Sequence, residues 1–412
     1  MTRPRDVLIA LAASGAIAAA GCRAPGRQAA HGGAADGAAR PAIRTVIDMR
    51  GAAVRVPARL TRVATINDGF VESVMSRLGT IRTLVAVGSS SQQRVWAYTY
   101  AADDGRTFSV ADGMGTMRAL HPWLAGLPCA SYTSGDAVNY ETIASARPEI
   151  VIVRVGDCTV GPSGEAVSRL LEVFGAMGIP AVVLRSPADY RGRGLETLRA
   201  EIEVLGQVFG EEREAAALAD ELGESEAMIR ARVGGVPALE RPRVLYLGLS
   251  AGASSSGGAA FAWGPGSVES WMIEEVIGAR NAYRGPGARV VLNAEQILAL
   301  DPDVIFLPTS GGYHPPWELA EAPRFRELRR LRAVRDRRVY PLPWTPMNCA
   351  RRLEYPLDLL VMAKGAYPHR FADVAVHVWA EEFYRRTYRV DTGQARMLLR
   401  AQWLDWTAEA GF

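Results

Sequence analysis

From Arg94 to Tyr100 the chain reads Arg-Val-Trp-Ala-Tyr-Thr-Tyr. If extended, this puts Arg94, Trp96, Tyr98 and Tyr100 on one side of a strand. Such a face combines ring area, phenol donors and a fixed positive charge, which suits a flat or hydroxamate-bearing chelate. A packed strand face has the same alternation, and both readings fit the residues. A second aromatic pair, Phe261 and Trp263, sits in a Gly/Ser/Ala-rich loop from Ser250 to Ser267, just after a strand-like run. Ligands of open α/β sheets lie beyond the carboxyl ends of strands, so this loop is a second candidate wall. It lacks the Gly-x-x-x-x-Gly-Lys-Ser/Thr pattern of a nucleotide phosphate cradle. Trp344, Asn348, Arg351 and Arg352 follow the last clear strand. Adjacent arginines can grip a carboxylate-rich ligand, and they equally make a solvated helix face.

Other chemistries find no residues to carry them. Of the five histidines, His31, His121, His314, His369 and His377, the last two lie near one another in the sequence but lack ligand spacing, and no cluster of histidines with carboxylates stands out. That disfavours direct coordination of a bare metal ion. There is no Gly-x-Ser-x-Gly elbow, no His-Glu-x-x-His and no nucleophile beside a base, so the chain reads as a binder, not an enzyme. A net charge of +3 over 412 residues, with no long basic run, gives nucleic-acid binding no electrostatic support. Nearly all the positive charge is arginine, with Lys364 the one lysine.

The elements that must position these groups alternate. Thr45 to Met49, Arg62 to Ile66, Leu84 to Gly88, Ile150 to Val153 and Ala181 to Arg185 are strand-like. Asp68 is placed to cap a helix ending near Gly79, and an amphipathic helix is expected around Ala166 to Met177. Residues 194 to 232 then read as one long helix, with Gly206, Gly210 and Gly223 as points of interruption, closed by Pro237 and Pro242. The α/β pattern restarts with strands at Arg243 to Leu249, Val304 to Leu307 and Arg338 to Leu342. A helix is expected over Ser267 to Val276, and the text is helical again from Arg351 onward. The fold class that follows is two Rossmann-like α/β lobes with mostly parallel sheets, bridged by a long helix and followed by C-terminal helices.

The two halves also echo each other. Asn139-Tyr140-Glu141-Thr142-Ile143 precedes Arg147-Pro148-Glu149-Ile150-Val151, and Asn293-Ala294-Glu295-Gln296-Ile297 precedes Asp301-Pro302-Asp303-Val304-Ile305. In each copy Asn caps a short helix, Pro and its acidic neighbour end it, and a buried strand begins. An acid in a first helical turn is favoured by the helix dipole alone. Helix stability does not require the same acid in both halves. Two pseudo-symmetric lobes would offer Glu141 and Glu295 to a two-fold partner carrying arginines.

The N-terminus carries a different message. Arg3 and Arg5 precede an apolar run from Val7 to Ala20, too short for a membrane span and right for a secretory signal. Ala19-Ala20-Gly21-Cys22 resembles the bacterial lipoprotein processing site, in which the cysteine becomes the new N-terminus and carries lipid, although Ala19 stands where leucine is usual. Residues 23 to 42 read as a flexible tether. In an oxidising compartment Cys129 and Cys158 are candidates for a disulfide, which leaves Cys349 odd.

Four stretches together resemble the ABC-transporter periplasmic binding proteins for iron–siderophore complexes, haem and cobalamin. They are Val46 to Gly51 with Val54, Val56, Pro57 and Arg62-Val63-Ala64, the two Glu-bearing segments, and Trp263-Gly264-Pro265-Gly266-Ser267 running on to Ile277 through Asn281. The likeness runs from about residue 44 to about residue 345. It implies permease docking through Glu141 and Glu295, and a ligand cleft between lobes lined by the loop that carries Phe261 and Trp263; the residues themselves add Arg94, Trp96, Tyr98, Tyr100, Trp344, Asn348, Arg351 and Arg352 as candidate contacts. The ligand it implies is a ferric chelate, with haem and cobalamin as alternatives and no covalently bound cofactor. The partners are an ABC permease dimer with its ATPase, and the chain itself is expected as an extracytoplasmic monomer held to the membrane by lipid on Cys22. Expected boundaries are a signal over 1–21, tether 22–42, N-terminal lobe 43–190, linking helix 191–236, C-terminal lobe 237–345 and helical extension 346–412.

Overall fold

The computed structural model describes residues 42–131, 138–156, 159–161, 163–188, 194–309, 311–344 and 352–412. The expectations placed on Cys22, Cys158, Asn348, Cys349 and Arg351, and on the signal and tether, fall outside the described residues.

The first half opens with a hairpin of β1 (Ile43–Ile47) and β2 (Ala53–Pro57). It continues through β3 (Val63–Ile66), α1 (Phe70–Arg77), β4 (Leu84–Ala86), a second hairpin of β5 (Trp96–Ala101) and β6 (Thr107–Gly113), and α2 (Thr116–Leu120). Then come α3 (Tyr140–Ala146), β7 (Ile150–Val155), α4 (Gly164–Ala176) and β8 (Ala181–Arg185). The sheet runs β4-β3-β7-β8, all parallel. Its central strands β3 and β7 are buried throughout, which is why they read as mainly apolar runs; the polar exceptions are Thr65, bonded to Glu72, and Arg154, paired with Glu201.

Next come two helices, α5 (Leu195–Phe209) and α6 (Glu212–Val233), the expected long helical stretch being interrupted at one of its three named glycines. The break is at Gly210, whose φ of 73° ends α5 in the left-handed conformation that glycine adopts without strain. The two helices pack side by side at Gly206, where an added Cβ would lie 2.6 Å from the Ala215 methyl. The bridge between halves is therefore α6 alone, 22 residues and about 33 Å long.

The second half contains β9 (Arg243–Gly248), α7 (Ala251–Ser255), β10 (Ala260–Trp263), α8 (Val268–Trp271), β11 (Arg280–Asn281), β12 (Arg289–Leu292), α9 (Ala294–Leu300), β13 (Val304–Leu307), α10 (Pro316–Glu321), α11 (Arg332–Arg335) and β14 (Val339–Pro341). Its sheet runs β12-β10-β9-β13-β14, with β11 parallel beside the start of β9. Strands β9, β13 and β14 are parallel, and β10 is antiparallel to both neighbours. The extension forms α12 (Tyr355–Ala366), α13 (Val376–Tyr388), α14 (Thr392–Ala401) and α15 (Trp406–Glu409).

Alternate residues of the central strands feed different cores, as the two-residue period requires. Ile150 and Ile152 of β7, Val244 and Tyr246 of β9, and Val304 and Phe306 of β13 all enter one continuous core with α5, α6 and α12. Val151 and Val153 turn to a core under α3 and α4, and Leu245, Leu247, Ile305 and Leu307 to another with α9 and α10. The halves thus share one apolar layer across the molecule. Among the described residues no helix is long and apolar enough to cross a membrane.

Candidate ligand cleft

The turn after β3 begins the site. Asn67 Oδ1 accepts from the backbone N–H groups of Gly69 (2.8 Å) and Val71 (3.1 Å), and Gly69, at φ 105°, is the residue before the helix. Asp68 is therefore not the cap that the sequence suggested. Its Oδ2 accepts from Arg352 Nη2 at 2.9 Å and its Oδ1 from Ser91 Oγ at 2.5 Å, all fully or nearly buried. Beneath it lies Glu72, held by Thr65 Oγ1 and by Asn67 Nδ2 at 2.8 Å. Complete burial pushes the Glu72 carboxyl above its ordinary range, against the pull of those hydrogen bonds.

Contacts across the halves show that both sheets point their carboxyl ends at common ground. Asp68 and Ser91 follow β3 and β4, and Arg352 lies between β14 and α12. Tyr98 packs edge-on to Trp344, beyond β14, at 5.4 Å between ring centres, and a Cβ on Gly312, beyond β13, would come 3.3 Å from the Tyr98 ring. Within the second half, Ser250 beyond β9 sits so close to Gly311 beyond β13 that a Cβ on Gly311 would meet its Oγ at 2.8 Å.

The extended reading of Arg94 to Tyr100 gives strand β5 with Trp96, Tyr98 and Tyr100 half-buried on one side. That side meets the protein's own rings. Trp96 and Tyr98 both cross Trp344, Tyr98 crosses Trp403 at 6.0 Å, and Tyr100 crosses Trp317 at 5.5 Å while its hydroxyl donates to the Tyr313 carbonyl. Burial raises the Tyr98 hydroxyl to about 12, so it stays a neutral donor. Trp344 is only 1% exposed under this cluster. Arg94 stays exposed, its guanidinium 5.9 Å from the Trp96 ring.

The segment Ser250 to Ser267 is not the loop that its composition suggested, since it holds helix α7 and strand β10. Trp263 turns onto Tyr246 at 5.2 Å and packs against the shared core, and its carbonyl accepts from Asn281 Nδ2. Phe261 pairs with Gly248 at the carboxyl end of β9 and lies under the exposed Arg289 guanidinium, 4.7 Å away. Arg94 and Arg289 therefore form matching arginine-on-ring pairs, one per half, and neither has a carboxylate partner among the described residues. Arg352 is different: its charge is committed to Asp68 and is not on a solvated face. Nearby, His314 Nδ1 is 2.8 Å from Glu318 Oε2, Glu318 also accepts from Arg324, and Arg324 donates to the Leu249 carbonyl at 2.9 Å.

The repeat divides into two roles. In α3 and α9 Asn139 and Asn293 accept from Thr142 N–H (2.9 Å) and Gln296 N–H (2.8 Å). Both helices end in left-handed residues, Arg147 and Asp301. The acids after the prolines are structural. Glu149 accepts the Arg62 N–H at 3.0 Å and Asp303 the Arg243 N–H at 2.7 Å, each fastening the start of the neighbouring strand. Glu141 and Glu295 are exposed. Asn139 N–H bonds Ala130, next to the Val87–Cys129 bridge beyond β4, and Asn293 follows Leu292, which pairs with Ala260 beside the end of β9. Both glutamates thus rise at the carboxyl edge of their sheet. Cys129 is a buried free thiol whose Sγ donates to the Ser131 carbonyl.

Trp403, Arg289, His314 and the Asp68–Ser91 pair were missed as site residues. Trp403 reaches the cluster from the C-terminal helices and has no local sign in the sequence. Asn67-Asp68-Gly69 directly after a buried strand was the sign that could have exposed the turn.

Two α/β lobes whose sheets turn their carboxyl edges toward one another have the architecture of a bilobed binding protein. The model of the periplasmic binding protein family matches residues 130–345, more than half of the chain, and the chain belongs to that family. The molybdate-binding protein MolA of Haemophilus influenzae is 21% identical over 278 residues, 62% of this chain and 71% of that protein. A periplasmic solute binding protein from Veillonella parvula superposes with a TM-score of 0.67 at 21% identity, covering 90% of this chain and all of that one. MolA bound to molybdate gives 0.62 at 18%, covering 84% and 98%. The CeuE protein of Helicobacter pylori in its nickel–histidine complex gives 0.61 at 17%, covering 86% and 98%. Proteins of this family are non-enzymatic, extracytoplasmic components that work with an ABC permease and its ATPase.

Proposed function

We propose that this protein captures an anionic ferric chelate of the siderophore type in the cleft and delivers it to an ABC permease on which Glu141 and Glu295 dock. Lipid on Cys22 anchors it to the membrane in this reading. The observation that carries the proposal is the pair of exposed glutamates in the first turns of equivalently capped helices, one at the carboxyl edge of each sheet. The exposed guanidiniums of Arg94 and Arg289 supply the charge for an anionic ligand, each backed by a ring. A broad tetrapyrrole would have to displace Trp344 and Trp403 from Trp96 and Tyr98, which favours a compact chelate over haem or cobalamin. The second reading is a small oxyanion, favoured by the likeness to MolA.

Reversing both charges, Glu141→Arg with Glu295→Arg, should reduce cellular uptake at least tenfold while the purified protein keeps its unfolding midpoint and its co-purifying ligand. Uptake at the wild-type rate rejects the docking role. Native mass spectrometry of the protein from its own host should reveal an anionic metal chelate, with Arg94→Ala retaining a smaller loaded fraction. An unchanged fraction removes Arg94 from the site.

A further inference from the structure

We propose that the β5–β6 hairpin is a strap tying the N-terminal half to the C-terminal half, so that the cleft opens by release of the hairpin tip and not by bending of α6. The hairpin leaves the first half after the buried Ser90–Gln92 turn, and its inward face is spent almost wholly on residues from beyond β13. At the tip, the Asp103 N–H donates to the Glu321 carbonyl at 3.1 Å, and Arg106 pairs with the Glu321 carboxylate at 2.7 Å. The Asp103 carboxylate meets Arg329 at 2.7 Å and Arg326 at 3.3 Å, and these two hydrogen bonds hold it below its usual range. Midway, Phe108 lies on Trp317 with ring centres 3.9 Å apart. At the base, Trp403 Nε1 donates to the Ala111 carbonyl at 2.8 Å, and the Met114 N–H to the Ala401 carbonyl at 2.9 Å. Trp403 lies so close that a Cβ on Gly113 would be 2.4 Å from its ring. On the outer face, Ala97, Thr99, Ala101 and Ser109 are exposed, and Thr99 and Ser109 bond only to each other.

A two-stranded hairpin has little stability of its own, so its order depends on this docking. The docking is graded. The base is aromatic, with Trp344 buried and Trp96, Tyr98 and Trp403 half-buried, whereas the tip is held by ion pairs in which Arg106 remains 59% exposed, and salt screens such pairs. The tip is the part that lets go first. Helix α6 offers no comparable hinge, because both halves bury residues against it in one continuous core. The restraint does not depend on which ligand the cleft takes.

The test measures the separation of the halves in the full chain, using fluorophores on non-natural residues introduced at Ser145 in α3 and Ala299 in α9, both exposed. Single-molecule energy transfer should give one narrow distribution at low salt, and a second, wider population should grow several-fold at about 1 M NaCl, where the Debye length is about 3 Å. Arg106→Ser with Phe108→Ser should show the wider population already at low salt. Asp103→Cys with Glu321→Cys, whose backbones are already hydrogen-bonded, should close a cross-link and abolish the wider population at every salt concentration. A cross-linked protein that still widens at high salt, or a tip variant indistinguishable from wild type, overturns the proposal. Should the tip variant fail to fold, the cross-linked form decides alone.

Discussion

Replacing Arg352 by alanine should lower the folding free energy by about 3–5 kcal/mol, measured by denaturant unfolding. The magnitude follows from what is left behind. Asp68 has a fully buried side chain, and Arg352 Nη2 at 2.9 Å supplies the positive charge beside it. Without the guanidinium, the buried carboxylate keeps the Ser91 hydroxyl but loses the positive charge that offsets its own. Asp68→Ala should cost a similar amount, because it removes the carboxylate from beside a largely buried guanidinium. The double variant should cost clearly less than the sum, because each single change already removes the same contact. Arg352→Lys should recover little, since a point charge on a flexible stem does not reproduce a planar guanidinium packed against Gly69. A loss under about 1 kcal/mol for Arg352→Ala would mean that water reaches the pair.

Much of the architecture was legible because it rests on local chemistry. The buried strands β3, β7, β8, β9 and β13 are short, mainly apolar runs bounded by Gly, Pro and polar residues, and both repeat helices carry an Asn cap visible in the sequence. What escaped depends on partners distant in sequence. Asp68 reads as a helix cap until Arg352, 284 residues on, gives it a different partner. The Ser250 to Ser267 segment has loop composition, yet β10 forms because its backbone is taken up by β9 on one side and β12 on the other. The long helical stretch was visible, but composition does not distinguish Gly206, a packing contact, from Gly210, a terminator. The aromatic alternation in β5 is legible as one face for Trp96, Tyr98 and Tyr100, whereas Arg94 precedes the strand and stays exposed. What covers that face comes from residues more than 200 positions later, and no local pattern encodes it.

Gly88→Ala should destabilise the protein by about 3 kcal/mol, the upper end for inserting one methyl into a packed interior. A Cβ at this position would stand 2.2 Å from the backbone nitrogen of Asn67, 2.6 Å from its oxygen and 2.9 Å from the Ile66 Cα. These are main-chain atoms at the end of a buried strand, so no side-chain rotation relieves the clash. Moving Asn67 disturbs three functions of one residue: Oδ1 caps α1 through Gly69 and Val71, Nδ2 holds the buried Glu72, and the backbone carries Asp68 toward Arg352. Gly126→Ala is the matched control, since a Cβ there meets nothing within 4 Å on an exposed turn, and it should change stability by no more than about 0.5 kcal/mol. Gly88→Ala combined with Arg352→Ala should fall short of the sum of the two losses, because a displaced Asp68 has already surrendered part of its ion pair. Strict additivity would instead place Gly88 and the Asp68–Arg352 pair in independent parts of the cleft edge.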